Sequence, residues 1–142
     1  MNKYILDTSA LLAYIENEDG TSEIEELFRQ ALEDKIELFI SVISCIEVGY
    51  VSWREQGETV ARERLRLIDD LPVSQEAVDE RLVETIAAIK ATRTMSFADS
   101  CIAGLAKFKQ AKLVHKDPEY EQIENEIQQL RLPYKKKPKH ES

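Results

Sequence analysis

The chain has 142 residues, 43% hydrophobic and 32% charged, with only four Gly and four Pro, which suits one domain with a real core and argues against a collagen-like or disordered chain. No apolar run reaches ~18 residues, so no transmembrane helix is expected, and the N-terminus lacks the basic-then-apolar pattern of a secretory leader. The net charge is −8; residues 135–142 (KKKPKHES) sum to +3, so residues 1–134 sum to −11, and such an acidic body is a poor general binder of phosphate backbones.

Residues 3–7 (KYILD) form a short apolar run ending in Asp, which predicts a buried strand. Residues 9–16 switch to helical spacing with Leu11, Leu12 and Ile15 on one side, and Asp19-Gly20 marks a break. An amphipathic helix over 22–34 follows, with Ile24, Leu27, Phe28 and Ala31 as its stripe. Residues 36–42 predict a second strand, residues 44–56 a helix, and Gly57 separates that helix from another through residue 70. Leu71-Pro72-Val73 reads as a connection or edge strand. Residues 75–93 give the longest helical pattern, on Ala77, Val78, Leu82, Ile86 and Ile89. A break at 94–96 leads into a helix over 97–108, then a strand over 112–115, a helical turn opened by Asp117-Pro118, and a last strand within 129–134.

Strands alternating with helices from end to end predict an α/β domain, a mainly parallel sheet covered on both faces. Sites in such sheets lie beyond the carboxyl ends of the strands. Cys45 and Cys101 each sit in an apolar segment and are expected to be buried free thiols of a reducing compartment. The Lys-rich residues 135–142 are expected to be a solvated, mobile terminus, although they offer charge that RNA phosphate would take.

Four acids carry the chemical information. Asp7 ends the first strand, Glu47 lies in the expected first turn of the helix after strand two, Asp99 lies in the first turn of the helix starting near Phe97, and Asp117 follows the strand over 112–115. Each also suits a capping role: Asp7 as an N-cap, Ser44-x-x-Glu47 and Ser96-x-x-Asp99 as capping boxes, Asp117 as an N-cap before Pro118. Two features point past capping. Glu47 and Asp99 fall on otherwise apolar faces, where an acid is costly unless paired. The sheet would also crowd all four together, and no Lys or Arg stands beside Asp7, Glu47 or Asp99 in sequence. Crowded carboxylates repel one another, and a hard cation with oxygen ligands, Mg²⁺ or Mn²⁺, would relieve this. Two His and two Cys without ligand spacing make zinc a poor fit.

The ordered set Asp7-Thr8-Ser9-Ala10-Leu11, Ser44-x-x-Glu47, Phe97-Ala98-Asp99-x-x-Ile102-Ala103 and Leu113-Val114-x-x-Asp117 resembles the PIN-domain ribonucleases. It is most similar to the VapC-type toxins of toxin–antitoxin pairs. The resemblance spans about residues 3–134, read as one PIN-like nuclease domain over 1–134. It implies a three-layer α/β/α sandwich with Asp7, Glu47, Asp99 and Asp117 as both metal ligands and catalytic acids. Ser9 matches a small hydroxyl residue near the metal. Further implications are metal-dependent endonucleolytic cleavage of RNA in the cytoplasm, a small antitoxin partner, and a homodimer. Two positions depart from the family pattern. His115 stands where Thr is common, leaving Glu119 and Glu121 as substitutes for Asp117, and Ser100-Cys101 replaces small apolar residues. Tyr14, Tyr50 and Trp53, at helical spacings, are expected in a core or protein contact, and His115 in a structural role. Two other readings stay open: a non-catalytic PIN-like interaction module whose acids only cap helices, and a phosphatase of the haloacid-dehalogenase type. The phosphatase needs a second Asp where Ser9 stands, and a response-regulator receiver needs an acidic neighbour that Asp7 lacks.

Overall fold

The computed structural model describes residues 1–134; the Lys-rich stretch 135–142 lies outside the described residues. Five strands, β1 (Asn2–Leu6), β2 (Ile36–Ser41), β3 (Ser74–Glu76), β4 (Lys112–His115) and β5 (Gln129–Arg131), alternate with six α-helices. The helices are α1 (Thr8–Ile15), α2 (Thr21–Leu32), α3 (Val42–Gln56), α4 (Glu58–Asp69), α5 (Val83–Thr92) and α6 (Phe97–Lys109). The strands pair in the order β3-β2-β1-β4-β5, and every pairing is parallel.

Register explains the layering. Phe39, Ile5 and Leu113 stand side by side across β2, β1 and β4, and so do Ile40, Leu6 and Val114. Successive side chains on a strand point to opposite faces. The first row accordingly packs under α5 and α6, with Ile86, Ile89, Ile102 and Leu105. The second packs under the first four helices, with Leu11, Ile24, Leu27, Val48 and Ile68. The result is the expected α/β/α sandwich. Between α5 and α6 the fit is close enough to require glycine: a Cβ on Gly104 would lie 2.6 Å from Ile86 Cγ1.

Several expectations are corrected. Residues 75–93 do not form one helix: Ser74–Glu76 is an edge strand, Glu80–Leu82 a 3-10 turn, and the helix begins at Val83. Ala77 and Val78 are exposed, so their apparent helical stripe faces no core. Helix α3 starts at Val42, with Ser41 as N-cap accepting from Ile43 N. Ser44 is therefore a fully buried residue inside the helix, the Ser44-x-x-Glu47 capping box is not formed, and Glu47 sits in the second turn. Two further readings hold: Leu71-Pro72-Val73 is a connection, and the last strand, Gln129–Arg131, lies within 129–134. Cys101 is buried, but Cys45 is only partly so.

The chain starts in the centre of the sheet, builds β2 and β3 to one side, then returns to lay β4 and β5 on the other. The carboxyl ends of β1 and β4 thus flank the point where the winding reverses. Ligand crevices in parallel sheets form at that point.

Candidate active site

Asp7 is the residue immediately beyond β1, and its N–H donates to Val114 O at 3.0 Å, which ties the ends of β1 and β4 together. Two residues on from Ile5, it continues the row that faces α6. It is 1% exposed. Its Oδ1 caps α1 by accepting from Ala10 N at 2.8 Å, and the Ser9 hydroxyl lies 2.7 and 2.9 Å from its two oxygens. Ser9 Oγ in turn accepts from Lys116 N at 2.9 Å, so a residue after β4 helps to hold the group at the end of β1.

Asp99 enters from the first turn of α6. Ser96 caps that helix, its Oγ accepting from Asp99 N at 3.1 Å. The reciprocal half of the capping box is not made by Asp99: Ser96 N–H donates to a carboxylate oxygen of Glu119. Asp99 Oδ1 accepts instead from the hydroxyl of the fully buried Tyr120, at 3.0 Å. Asp117 is the N-cap of a 3-10 turn over Pro118–Ile123, accepting from Glu119 N at 2.9 Å. Oxygens of Asp99, Asp117 and Glu119 lie within 4.8 Å of one another.

Glu47 comes from α3 and stands outside that triad. Thr8, the first residue of α1, donates to Glu47 Oε1 at 2.6 Å, and its Oγ1 lies 3.0 Å from Ser44 Oγ. Of the four predicted acids, Asp99 and Asp117 share the triad, Asp7 interacts with both of them and with Glu47, and Glu47 reaches the group only through Asp7. Glu119 joins the triad beside Asp117, whereas Glu121 turns away to Arg131 at 3.6 Å. Residue types alone did not reveal Thr8 as the holder of Glu47, or Tyr120 as the partner of Asp99.

The electrostatics follow from this crowding. Burial pushes the Asp7 carboxyl up to about 7, with Asp117 and Glu47 adding to the rise against the Ala10 and Ser9 hydrogen bonds. Burial likewise pushes Asp99 up to about 8, opposed by the Tyr120 hydroxyl and reinforced by Asp117, Glu119 and Asp7. Among the described residues no Lys or Arg is ion-paired with Asp7, Glu47, Asp99, Asp117 or Glu119. Lys116, the nearest in sequence, points the other way, to Asp19 O at 2.8 Å and Glu18 at 3.6 Å. An uncompensated all-oxygen donor set of this kind fits a hard divalent cation.

His115 is fully buried, and burial lowers its pKa. Its ring packs against that of Tyr120, centroids 4.9 Å apart and planes tilted by 58°. Tyr14 is a core aromatic packed edge-on against Phe28. Tyr50 and Trp53 are instead 42% and 47% exposed, beside Ile46 at 57%. With Cys45, Gly49 and Leu65 they line an open apolar cavity of about 500 Å³.

The PIN-domain family profile matches residues 4–126. The chain belongs to the PIN-domain family. Membership sets aside the haloacid-dehalogenase reading. No curated protein matches this PIN domain in sequence. Its fold is similar to that of VapBC2 from Rickettsia felis bound to a promoter DNA fragment, with 16% identity, TM-score 0.76, and 92% of this chain and 98% of that one covered. It is also similar to DNA-bound VapBC from Salmonella typhimurium (21% identity, TM-score 0.73, coverage 92% and 98%). A third similar structure is Mycobacterium tuberculosis VapC20, described as a sarcin-ricin loop cleaving toxin (17% identity, TM-score 0.65, coverage 84% and 93%). No described helix is long and apolar enough to cross a membrane.

Proposed function

We propose that this PIN domain is a Mg²⁺- or Mn²⁺-dependent endoribonuclease of the cytoplasm and the toxin of a toxin–antitoxin pair, with residues 1–134 as the nuclease domain. The observation that carries the reading is the convergence of Asp7, Glu47, Asp99 and Asp117 at the reversal point of the sheet without a compensating cation. The VapBC folds and the RNA-cleaving description of VapC20 support RNA as substrate and a small antitoxin as partner.

In this reading Asp7 and Asp99 hold the cation, and Glu47 and Asp117 complete the site and orient the attacking water. A bound Mg²⁺ or Mn²⁺ supplies a Lewis acid that activates water and offsets charge on the phosphodiester. Ser9 and the Ala10 N–H fix the rotamer of Asp7, and Thr8 fixes Glu47. Burial keeps bulk water from the Asp7 carboxylate, while Glu47, Asp99 and Asp117 are only partly buried and leave the site open to substrate. The exposed Ile46, Tyr50 and Trp53 surface suits the antitoxin or a second copy of the chain.

The test is cleavage of an RNA mixture with Mn²⁺ and with chelator. Alanine at Asp7 or Asp99 is expected to abolish cleavage while the fold survives, and full metal-dependent activity in either variant would refute the assignment. A second reading is supported by the caps: Asp7 and Asp117 each give an oxygen to a helix start, as in a non-catalytic PIN-like interaction module. That reading expects no saturable stabilisation by Mn²⁺.

A further inference from the structure

We infer that Gln129, His115 and Tyr120 form a positioning unit that aims Asp99 and Asp117 at the cation. None of the three is a proposed ligand, and the inference rests on the cation-site reading above.

The hydrogen bonds admit one self-consistent assignment. Gln129 Nε2 lies 2.8 Å from Tyr120 O, a carbonyl that can only accept, so the amide nitrogen must face it. The amide oxygen therefore faces His115 Nε2, at 2.8 Å. An oxygen there requires the proton on Nε2, which leaves Nδ1 as an acceptor. Nδ1 meets the backbone N–H of Asp117 at 3.1 Å. Gln129 on the edge strand β5 and the Asp117 N–H thus require the same histidine tautomer, and the ring held between them ties β5 to the backbone from which Asp117 projects.

The other arm runs through Tyr120. Gln129 holds the Tyr120 carbonyl, His115 packs at a tilt against its ring, and the hydroxyl donates to Asp99 Oδ1. The bond at Oδ1 fixes the carboxylate, an oxygen of which lies within 4.8 Å of oxygens of Asp117 and Glu119. Gln129 therefore anchors both halves of the acid group without touching either carboxylate. Partners of this kind, one shell out from metal ligands, alter affinity by roughly 10–100-fold when removed.

The experiment measures Mn²⁺ affinity near neutral pH by isothermal titration. It uses the full chain carrying Tyr120→Phe, Gln129→Leu, His115→Leu or His115→Asn, with Asp99→Asn as control. Tyr120→Phe deletes one oxygen and keeps the ring packing, so it tests aim without threatening the fold. It and Gln129→Leu are expected to weaken binding roughly tenfold or more. His115→Leu is expected to do the same, and His115→Asn to recover most of the loss, because an amide oxygen takes the place of Nδ1. Nitrogen NMR of wild-type His115 is expected to show a protonated Nε2 and a bare Nδ1, with the Nε2 signal shifted in Gln129→Leu as its hydrogen-bond acceptor is removed. Wild-type affinity in both Tyr120→Phe and Gln129→Leu, with Asp99→Asn unable to bind, overturns the positioning role alone. Absence of saturable binding to the wild type overturns the cation site and this inference with it.

Discussion

Removing the charge of Asp7 should stabilise the metal-free protein while destroying its proposed cation site. The Asp7 carboxyl has an ordinary value of 3.8 and is pushed up to about 7 in the fold, chiefly by burial. Below 3.8 both folded and unfolded chains carry the proton, and stability from the neutral carboxyl is fully present. Between 3.8 and about 7 the unfolded chain releases the proton while the folded chain keeps it, so stability falls with rising pH. Above about 7 the loss is complete. At about 1.4 kcal/mol per pH unit it reaches roughly 4 kcal/mol. Asn at this position keeps an oxygen for Ala10 N and Ser9 Oγ, and loses one acceptor. A net gain of about 2–4 kcal/mol at pH 8 follows for Asp7→Asn, or on the order of 10 °C in melting temperature. Near pH 4.5 the titration contribution falls to about 1 kcal/mol, so the net gain should be about 3 kcal/mol smaller than at pH 8 and close to zero. Thermal or urea unfolding in chelator, at several pH values, measures this. An Asn variant no more stable than wild type at pH 8, or an advantage that does not change with pH, refutes the reasoning.

Saturating Mn²⁺ should offset most of that difference. At a hundredfold excess over Kd the wild type gains about 2.7 kcal/mol, and an Asp7→Asn, Asp99→Asn double variant gains nothing, as thermal unfolding would show. Gly104→Ala should cost about 1–3 kcal/mol in urea unfolding, because its Cβ would meet Ile86 Cγ1 at 2.6 Å. Ile86→Ala in the same chain should cost less than the two changes summed, since the shorter side chain removes the clash. Ile46→Asp and Trp53→Asp, on an exposed face, should change stability by about 0.5 kcal/mol or less yet weaken self-association or antitoxin binding, read by sedimentation and pull-down with a candidate antitoxin.

Much of the architecture could be read from apolar spacing alone, because the central strands are buried on both sides. Ile5, Leu6, Leu38, Phe39, Ile40, Leu113 and Val114 are all core residues, and such runs stand out from the amphipathic helices around them. Edge strand β3 was illegible for the opposite reason. Ser74, Gln75 and Glu76 contribute backbone pairing to β2 and no apolar side chain to the core. Ala77, Val78 and Leu82 then imitated a helical stripe that the fold does not use. The start of α3 was misplaced because Ser41 and Ser44 are both plausible caps, and only the meeting of Thr8 with Ser44 and Glu47 separates their roles. The acids themselves were legible as residues out of keeping with their apolar neighbours. Their partners were not, since Tyr120 and Gln129 have ordinary roles in a core or an edge strand until the sheet brings them to Asp99 and His115.

The carboxylates are drawn from chain segments far apart: the start of α1, the second turn of α3, the first turn of α6 and the residues after β4. No fragment that stops before residue 115 holds more than part of the set. A growing polypeptide therefore has no assembled centre until Asp117 has been made and β1, β2 and β4 have paired. For the proposed ribonuclease, connectivity itself safeguards synthesis: the weapon is armed only once β4 and the turn after it are in place.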